Sequence, residues 1–144
     1  MPVYSPVRAD LRQILLTTPG VPTVAWEGRA FTPVPGIRWI DEKLSPVANR
    51  TATMGYGGYS RLWLAYTLLL YSPPVSASMS EDEDLIDAIM FQYPVGREVG
   101  GVNVFGRVWG NSRSGTKTDA SWRTTSLGIN LWVMPPLVGD PAVT

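Results

Sequence analysis

The sequence contains neither cysteine nor histidine among its 144 residues. Without cysteine the chain has no disulfide, no thiolate nucleophile and no cysteine-ligated metal site. Without histidine it lacks the commonest general base, the commonest zinc ligand and every Ser-His-Asp arrangement. Among these site chemistries, only those that use carboxylates alone stay open.

The chain also lacks net charge and long hydrophobic runs. Its 12 basic and 12 acidic residues cancel, so no global field draws it to nucleic acid or to a membrane. Its most apolar run, Arg61–Ser72, is too short for a transmembrane helix, which needs about 20 apolar residues. No secretory signal is visible in the sequence, so we expect the protein to stay inside the cell that makes it.

The length and a hydrophobic content of 44% predict one globular domain over residues 1–144. The run Arg61–Ser72, RLWLAYTLLLYS, lies between Gly57-Gly58 and Pro73-Pro74. Both of its alternating faces are largely apolar, which predicts a buried central strand. The apolar side chains on its second face, together with Trp39, indicate that a partner subunit covers part of that face.

Two helices and four further strands are predicted around this strand. Ser5-Pro6 is typical of a helix start, and Val7, Leu11, Ile14 and Leu15 follow at helical spacing. Ser80 and Glu83 form a capping-box pattern at the start of the second helix. The other strands are predicted over residues 21–26, 37–44, 102–109 and 122–133.

The resulting order, α-β-β-β-α-β-β, predicts an α+β fold. Two helices would pack on one face of a mostly antiparallel sheet of about five strands. Residues 135–144, which begin with Pro135-Pro136, are predicted to form a C-terminal tail.

Residues 45–59 are predicted to be an extended loop, which is long for a connection between two strands. It either forms a hairpin whose tip packs on its own domain or forms an arm that binds a partner. Aromatic, Met and Arg side chains are enriched at interface cores, and the candidate interface residues are Arg50, Thr51, Met54, Tyr56 and Tyr59.

Residues 110–121 are predicted to be a flexible polar hairpin loop whose tip, with Arg113 and Lys117, is mildly basic. Its few cations and lack of aromatics do not indicate a nucleic-acid module. The acidic run Glu81–Asp84 is assigned to the helix dipole and to solubility, because calcium-loop spacing is absent. No cofactor or metal site is predicted.

Three stretches together resemble the tail-terminator, or tail-completion, proteins of long-tailed bacteriophages. The first is VYSPVRADLRQIL followed by TPGVPTVAWEGRAFTPVPG, and the second is RWIDEKLSPV before a Gly-rich loop. The third is FQYPVGREVGGVNVFGR. The resemblance spans nearly the whole chain and includes the order of its elements.

This resemblance implies a structural virion protein that is not an enzyme. Such proteins form a six-fold ring that caps the tail tube, stops its polymerisation and faces the head-connector side. The implied partners are other copies of the chain, the tail-tube protein, the connector or stopper protein, and DNA that passes without specific binding. The implied location is the head-proximal end of the tail, after assembly in the host cytoplasm. Arg50, Met54, Tyr56 and Tyr59 would then contact a neighbour or the tube, and Arg113 and Lys117 would face the lumen.

Two other classes of function stay open. One is another neck or tail component, such as a head-completion or tail-tube protein. The other is a carboxylate enzyme that uses Asp41 or Glu42 with Asp119, which would need a pocket that separates their pKa values.

Overall fold

In a computed structural model the chain is described at residues 4–51, 60–75, 77–101, 104–119 and 121–134. Within these residues it forms two helices and seven strands. Their bounds are α1 Tyr4–Leu16, β1 Thr23–Ala25, β2 Trp39–Thr51, β3 Ser60–Ser72, α2 Met79–Gln92, β4 Glu98–Gly101, β5 Val104–Arg113, β6 Lys117–Thr118 and β7 Arg123–Met134.

The strands form one mixed sheet in the order β1-β2-β3-β7-β5-β4, and β6 also pairs with β7. The pair β1–β2 is parallel and the other pairs are antiparallel. The predicted α+β class and the two helices are confirmed. The predicted order and count missed β4 and β6, because strands of four and two residues are too short to show a period of two.

The core lies between the helices and one face of the sheet. The helix α1 buries Val7, Leu11, Ile14 and Leu15, as its spacing predicts. Along β7, buried and half-buried residues alternate without interruption, which is the pattern of a strand with one face in the core. The central strand β3 buries only one parity of its residues, namely Leu64, Tyr66, Leu68, Leu70 and Ser72.

The first part of residues 45–59 is strand rather than loop, which agrees with the hairpin alternative. The strand β2 continues to Thr51, and Ser45 pairs with Ala65 while Thr51 pairs with Ser60. Proline usually interrupts a ladder, but here a register shift between Pro46 and Ala48 accommodates it. Residues 52–59 lie outside the described part of the chain.

The prediction of a loop over residues 110–121 is also wrong in part. The strand β5 runs to Arg113, which pairs with Leu127, and β6 forms at Lys117–Thr118. Gly106 lies where the backbones of β5 and β7 approach closely. A side chain there would place its Cβ 2.6 Å from the carbonyl oxygen of Trp132, so only glycine fits between β5 and β7.

Both helices begin two residues or less from their predicted starts. The helix α2 begins at Met79, and the Ser78 hydroxyl accepts a 3.1 Å hydrogen bond from the Glu81 amide. The N-cap is therefore Ser78 rather than Ser80. The helix α1 already includes Tyr4 and Ser5, so Ser5 is not its cap, although Pro6 still lies in the first turn, where its missing N–H is tolerated.

Candidate functional site

The sheet face opposite the helices, called here the open face, is the candidate interaction surface. Its residues on the three central strands are half-buried, except for exposed Lys43, and those on β5 are exposed. The open face consists of Trp39, Asp41 and Lys43 on β2, Trp63, Ala65, Thr67, Leu69 and Tyr71 on β3, Thr124, Ser126, Gly128, Asn130 and Trp132 on β7, and Phe105, Arg107 and Trp109 on β5.

A first aromatic cluster lies where β2, β3 and β7 pair near Trp39. The Trp39 ring stacks on Tyr71 with a centroid distance of 4.2 Å and an angle of 6° between the planes. Phe31 lies 5.0 Å from Trp39, and Trp122 meets Trp39 edge-on at 6.0 Å. Rings at these distances attract each other beyond the area they bury, so the cluster holds the loop of Phe31 against the open face.

A second aromatic cluster lies at the other end of the same strands. Trp63 and Trp109 meet edge-on at 5.7 Å, and Phe105 lies 5.8 Å from Trp132. The Arg107 guanidinium lies over the Phe105 ring, 5.4 Å from its centroid. Trp109 leaves 51% of its surface exposed, which is a large apolar area for a side chain with no covering element in the described part of the chain.

Between the clusters the open face is small and polar. Ala65 and Thr67 on β3 pair with Asn130 and Gly128 on β7. Such a surface offers aromatic groups at its ends and hydrogen-bonding groups between them, with few charges. Interface cores are enriched in aromatic residues and depleted of charge, so this arrangement suits protein binding.

Beneath the sheet, a buried carboxylate holds α1 and the β1–β2 connection together. Glu42 is 2% exposed. It accepts hydrogen bonds from Arg12 Nε at 2.9 Å, from Arg12 Nη2 at 2.7 Å, from the Glu27 amide at 3.1 Å and from the Tyr66 hydroxyl. Arg12 also stacks over Trp26, 5.0 Å from the ring centroid.

These contacts set the charge states of the cluster. Burial acts to raise the pKa of Glu42, but the hydrogen bonds from Arg12 and Tyr66 outweigh it and hold the pKa below its ordinary value. The hydrogen bond to Glu42 raises the pKa of Arg12. Burial raises the pKa of Tyr66 far above its ordinary value. The pair is therefore charged at neutral pH, and its hydrogen bonds link α1 to β2.

A second buried carboxylate joins α2 to the sheet. Asp82, 5% exposed, accepts from Arg38 Nε at 2.7 Å, from Arg123 Nε at 2.8 Å and from the Ser72 hydroxyl at 2.7 Å. Arg123 Nη2 also donates to the Ala77 carbonyl at 2.6 Å. The assignment of the acidic run to the helix dipole and solubility is wrong for Asp82, because this residue is buried in an ion-pair network.

The predicted interface residues fall largely outside the described side chains. Arg50 and Thr51 are the last residues of β2, where they pair with Arg61 and Ser60, rather than part of a loop. Met54, Tyr56 and Tyr59 lie outside the described residues. Their role in an interface stays a prediction.

The two predicted lumen residues lie on opposite faces of the sheet. Arg113 pairs with the buried Leu127 and its Nη1 lies 3.4 Å from the Asp87 carboxylate on α2. Lys117 pairs with Thr124 of the open face. Cross-strand neighbours project to the same side, so these two cations do not form one basic patch.

The carboxylates of the enzyme alternative occupy different environments. Asp41 is on the open face. Glu42 lies beneath the sheet and accepts hydrogen bonds from Arg12, the Glu27 amide and Tyr66. Asp119 accepts hydrogen bonds from the amides of Ser121 and Trp122 at 2.7 and 2.8 Å. Those backbone hydrogen bonds lower the pKa of Asp119. Among the residues that the structure describes, no group of three or more potential ligands is placed to share a metal ion.

Sequence patterns pointed to only part of the open face. Trp39, Trp63 and Tyr71 stood out by their parity, whereas Phe31, Trp109, Trp122 and Trp132 did not. Phe105, Arg107 and Trp109 alternate along β5 and therefore lie on one face. This face continues the one that Thr124, Ser126 and Asn130 form on β7, but the match is visible only once β5 and β7 are known to pair.

Comparisons with known proteins show the fold and no function. No protein-family model matches the sequence, and no curated protein matches it. Neither described helix has the length and hydropathy needed to cross a membrane. The chain is similar in structure to a solved protein chain that carries no functional name, with 19% identity, a TM-score of 0.58, and coverage of 88% of this chain and 92% of that one. At this identity the likeness shows a shared fold alone.

Proposed function

We propose that this chain is a tail terminator of a long-tailed bacteriophage. Copies of it would form a six-fold ring that caps the tail tube, stops its polymerisation and joins it to the connector or stopper protein. The observation that carries the proposal is the open face, on which two aromatic clusters flank a small polar centre. A surface of this composition is typical of a protein that works by assembly.

The residues behind the resemblance also hold this fold together. Within VPTVAWEG, Trp26 stacks on Arg12, and the Glu27 amide donates to Glu42. Glu27 itself accepts from Arg8 at 2.8 Å and from the Leu44 amide at 3.0 Å. The similar sequence therefore occupies positions on which the packing depends, which supports a related fold and role.

A ring needs an interface in which two different patches of the same chain meet and the rotation closes. The two ends of the open face differ in this way, because one carries Asp41 and the other carries Arg107. The net charge of +0 suits a lumen through which DNA passes without tight binding. The protein would act in the virion, at the head-proximal end of the tail, after assembly in the host cytoplasm, without catalysis or a cofactor.

The test is the length of tail tubes assembled from purified tube protein with and without this chain. A terminator added at the start should shorten the tubes and appear as a ring at one end in electron micrographs. A head-completion protein would leave tube length unchanged. A tube protein would polymerise by itself, and either result would contradict the proposal.

Trp109→Ala is expected to weaken self-association and tube capping by about 30-fold, because a central Trp at an interface contributes about 2 kcal/mol or more. Light scattering across a concentration series measures the self-association. The matched control is Phe91→Ala, which removes an aromatic ring that is 81% exposed on α2, on the helix layer. An unchanged oligomer mass in Trp109→Ala, or an equal loss in both variants, would remove the open face from the interface.

A further inference from the structure

A cavity of about 390 Å³ opens at the edge of β2, where β1 ends and the following loop folds back. Aromatic rings and carboxylates line it together. The lining includes Trp26, Phe31 and Trp39 as rings, Glu27, Asp41 and Glu42 as carboxylates, and the exposed cations Arg29 and Lys43. Aromatic walls with a carboxylate are the groups that recognise an organic cation.

Asp41 supplies a carboxylate that has a backbone hydrogen bond with Glu42 and pairs with no described cation. The described residues form seven ion pairs, and Asp41 is in none of them. Glu27, by contrast, is paired with Arg8. Burial raises the pKa of Asp41 and the charge of Glu27 raises it further, while Lys43 acts to lower it. The site is thus a half-buried carboxylate beside a second negative charge.

The other side of the same strand shows how such a carboxylate is satisfied in this fold. Glu42, the next residue, receives two N–H groups of Arg12, and Arg12 stacks over Trp26. Asp41 projects to the opposite side of β2 and has Trp39 on its own face. It has the carboxylate and the aromatic wall, and Arg29, which also lines the cavity, is exposed and forms no ion pair with Asp41 among the described residues.

We propose that this cavity binds the guanidinium group of an arginine side chain presented by a partner protein. Asp41 would be the ion-pair acceptor, and Phe31 and Trp39 would form the aromatic wall. A guanidinium is planar, so it can stack on a ring and still pair with a carboxylate through two N–H groups. An anionic ligand that reached the half-buried Asp41 would face this carboxylate and Glu27, because the cations Arg29 and Lys43 are at exposed lining positions. This inference does not rest on the proposed role at the tail tube.

The test follows the indole N–H of Trp39 by NMR during titration with the peptide acetyl-Gly-Arg-Gly-amide. This N–H is buried and has no hydrogen-bond partner among the described residues, and Trp39→Phe assigns its signal among the six tryptophans. The matched control peptide carries citrulline, which keeps the shape and removes the charge. We expect the arginine peptide to shift the signal and to bind about ten-fold more tightly, because one charge-assisted pair differs.

Two variants locate the binding. Asp41→Asn should weaken binding of the arginine peptide about ten-fold, whereas Asp84→Asn, the same change at an exposed site of α2, should leave it unchanged. If the chemical shift of the Trp39 indole N–H changes with protein concentration in the wild type but not in Asp41→Asn, the arginine belongs to a second copy of the chain. No shift, equal shifts with both peptides, or wild-type binding by a folded Asp41→Asn would overturn the inference.

Discussion

Replacing Asp82 with alanine is expected to lower the free energy of unfolding by about 3–5 kcal/mol, the cost of breaking a buried ion pair from one side. The side chain of Asp82 joins Arg38, Ser72 and Arg123 with three hydrogen bonds of 2.7–2.8 Å. Arg123 is 7% exposed, so it cannot move its charge into water once Asp82 is gone. Urea denaturation followed by circular dichroism measures the loss.

The matched control is Asp84→Ala in the same helix turn. Asp84 is exposed, and its removal should change the stability by no more than about 0.5 kcal/mol. Both aspartates are near the start of α2, where the helix dipole favours an acid by only about 0.3–1 kcal/mol. A loss that is equal in the two variants would mean that the dipole, and not the buried network, explains Asp82.

The double variant Asp82→Leu with Arg123→Met separates the charge from the packing. It replaces both partners with apolar groups of similar size, which is often neutral for a buried pair. Arg38 retains 24% side-chain exposure and can turn toward water. We therefore expect the double variant to be more stable than Asp82→Ala, and a larger loss would contradict this account.

The regular elements were predictable where burial has a period. The helix α1 buries residues at helical spacing, and β7 alternates along its whole length, so the amino-acid pattern reports the packing directly. The second half of β2 has no such pattern. Its Ser45-Pro46 resembles a strand end, and only the pairing with β3 and the register shift beside Val47 keep it in the sheet.

Neither buried ion-pair network was predictable, because its members are far apart in sequence. Arg12 and Glu42 are separated by 30 positions, and Arg38 and Asp82 by 44. Each residue by itself resembles a solvated charge on a helix or strand. Half of the open face was visible in the parity of β3, but its second aromatic cluster depends on β5 lying beside β7, which no local pattern encodes.

Glu42→Gln is expected to lower the free energy of unfolding at pH 7 by about 3 kcal/mol, because the hydrogen bonds from Arg12, the Glu27 amide and Tyr66 lose their charged acceptor at a position that is 2% exposed. The glutamine side chain also directs its NH₂ group at the Glu27 backbone N–H or at the Tyr66 hydroxyl, both of which donate hydrogen bonds to the Glu42 carboxylate in the wild type. Thermal and urea unfolding of both proteins measure the difference. The matched control is Glu98→Gln, since Glu98 and Arg107 form an exposed pair whose loss should cost no more than about 1 kcal/mol.

The same variant gives a pH dependence with a definite sign. The folded-state pKa of Glu42 lies below the ordinary value of 4.5, so the unfolded chain takes up the proton first as pH falls. The stability that Glu42 contributes is therefore present above about pH 4.5 and is lost as pH drops through the folded-state pKa. A protonated Glu42 is neutral and nearly isosteric with glutamine, so the gap between wild type and Glu42→Gln should close in acid. A gap that stays constant from pH 7 to below the folded-state pKa would mean that the charge of Glu42 does not stabilise the fold.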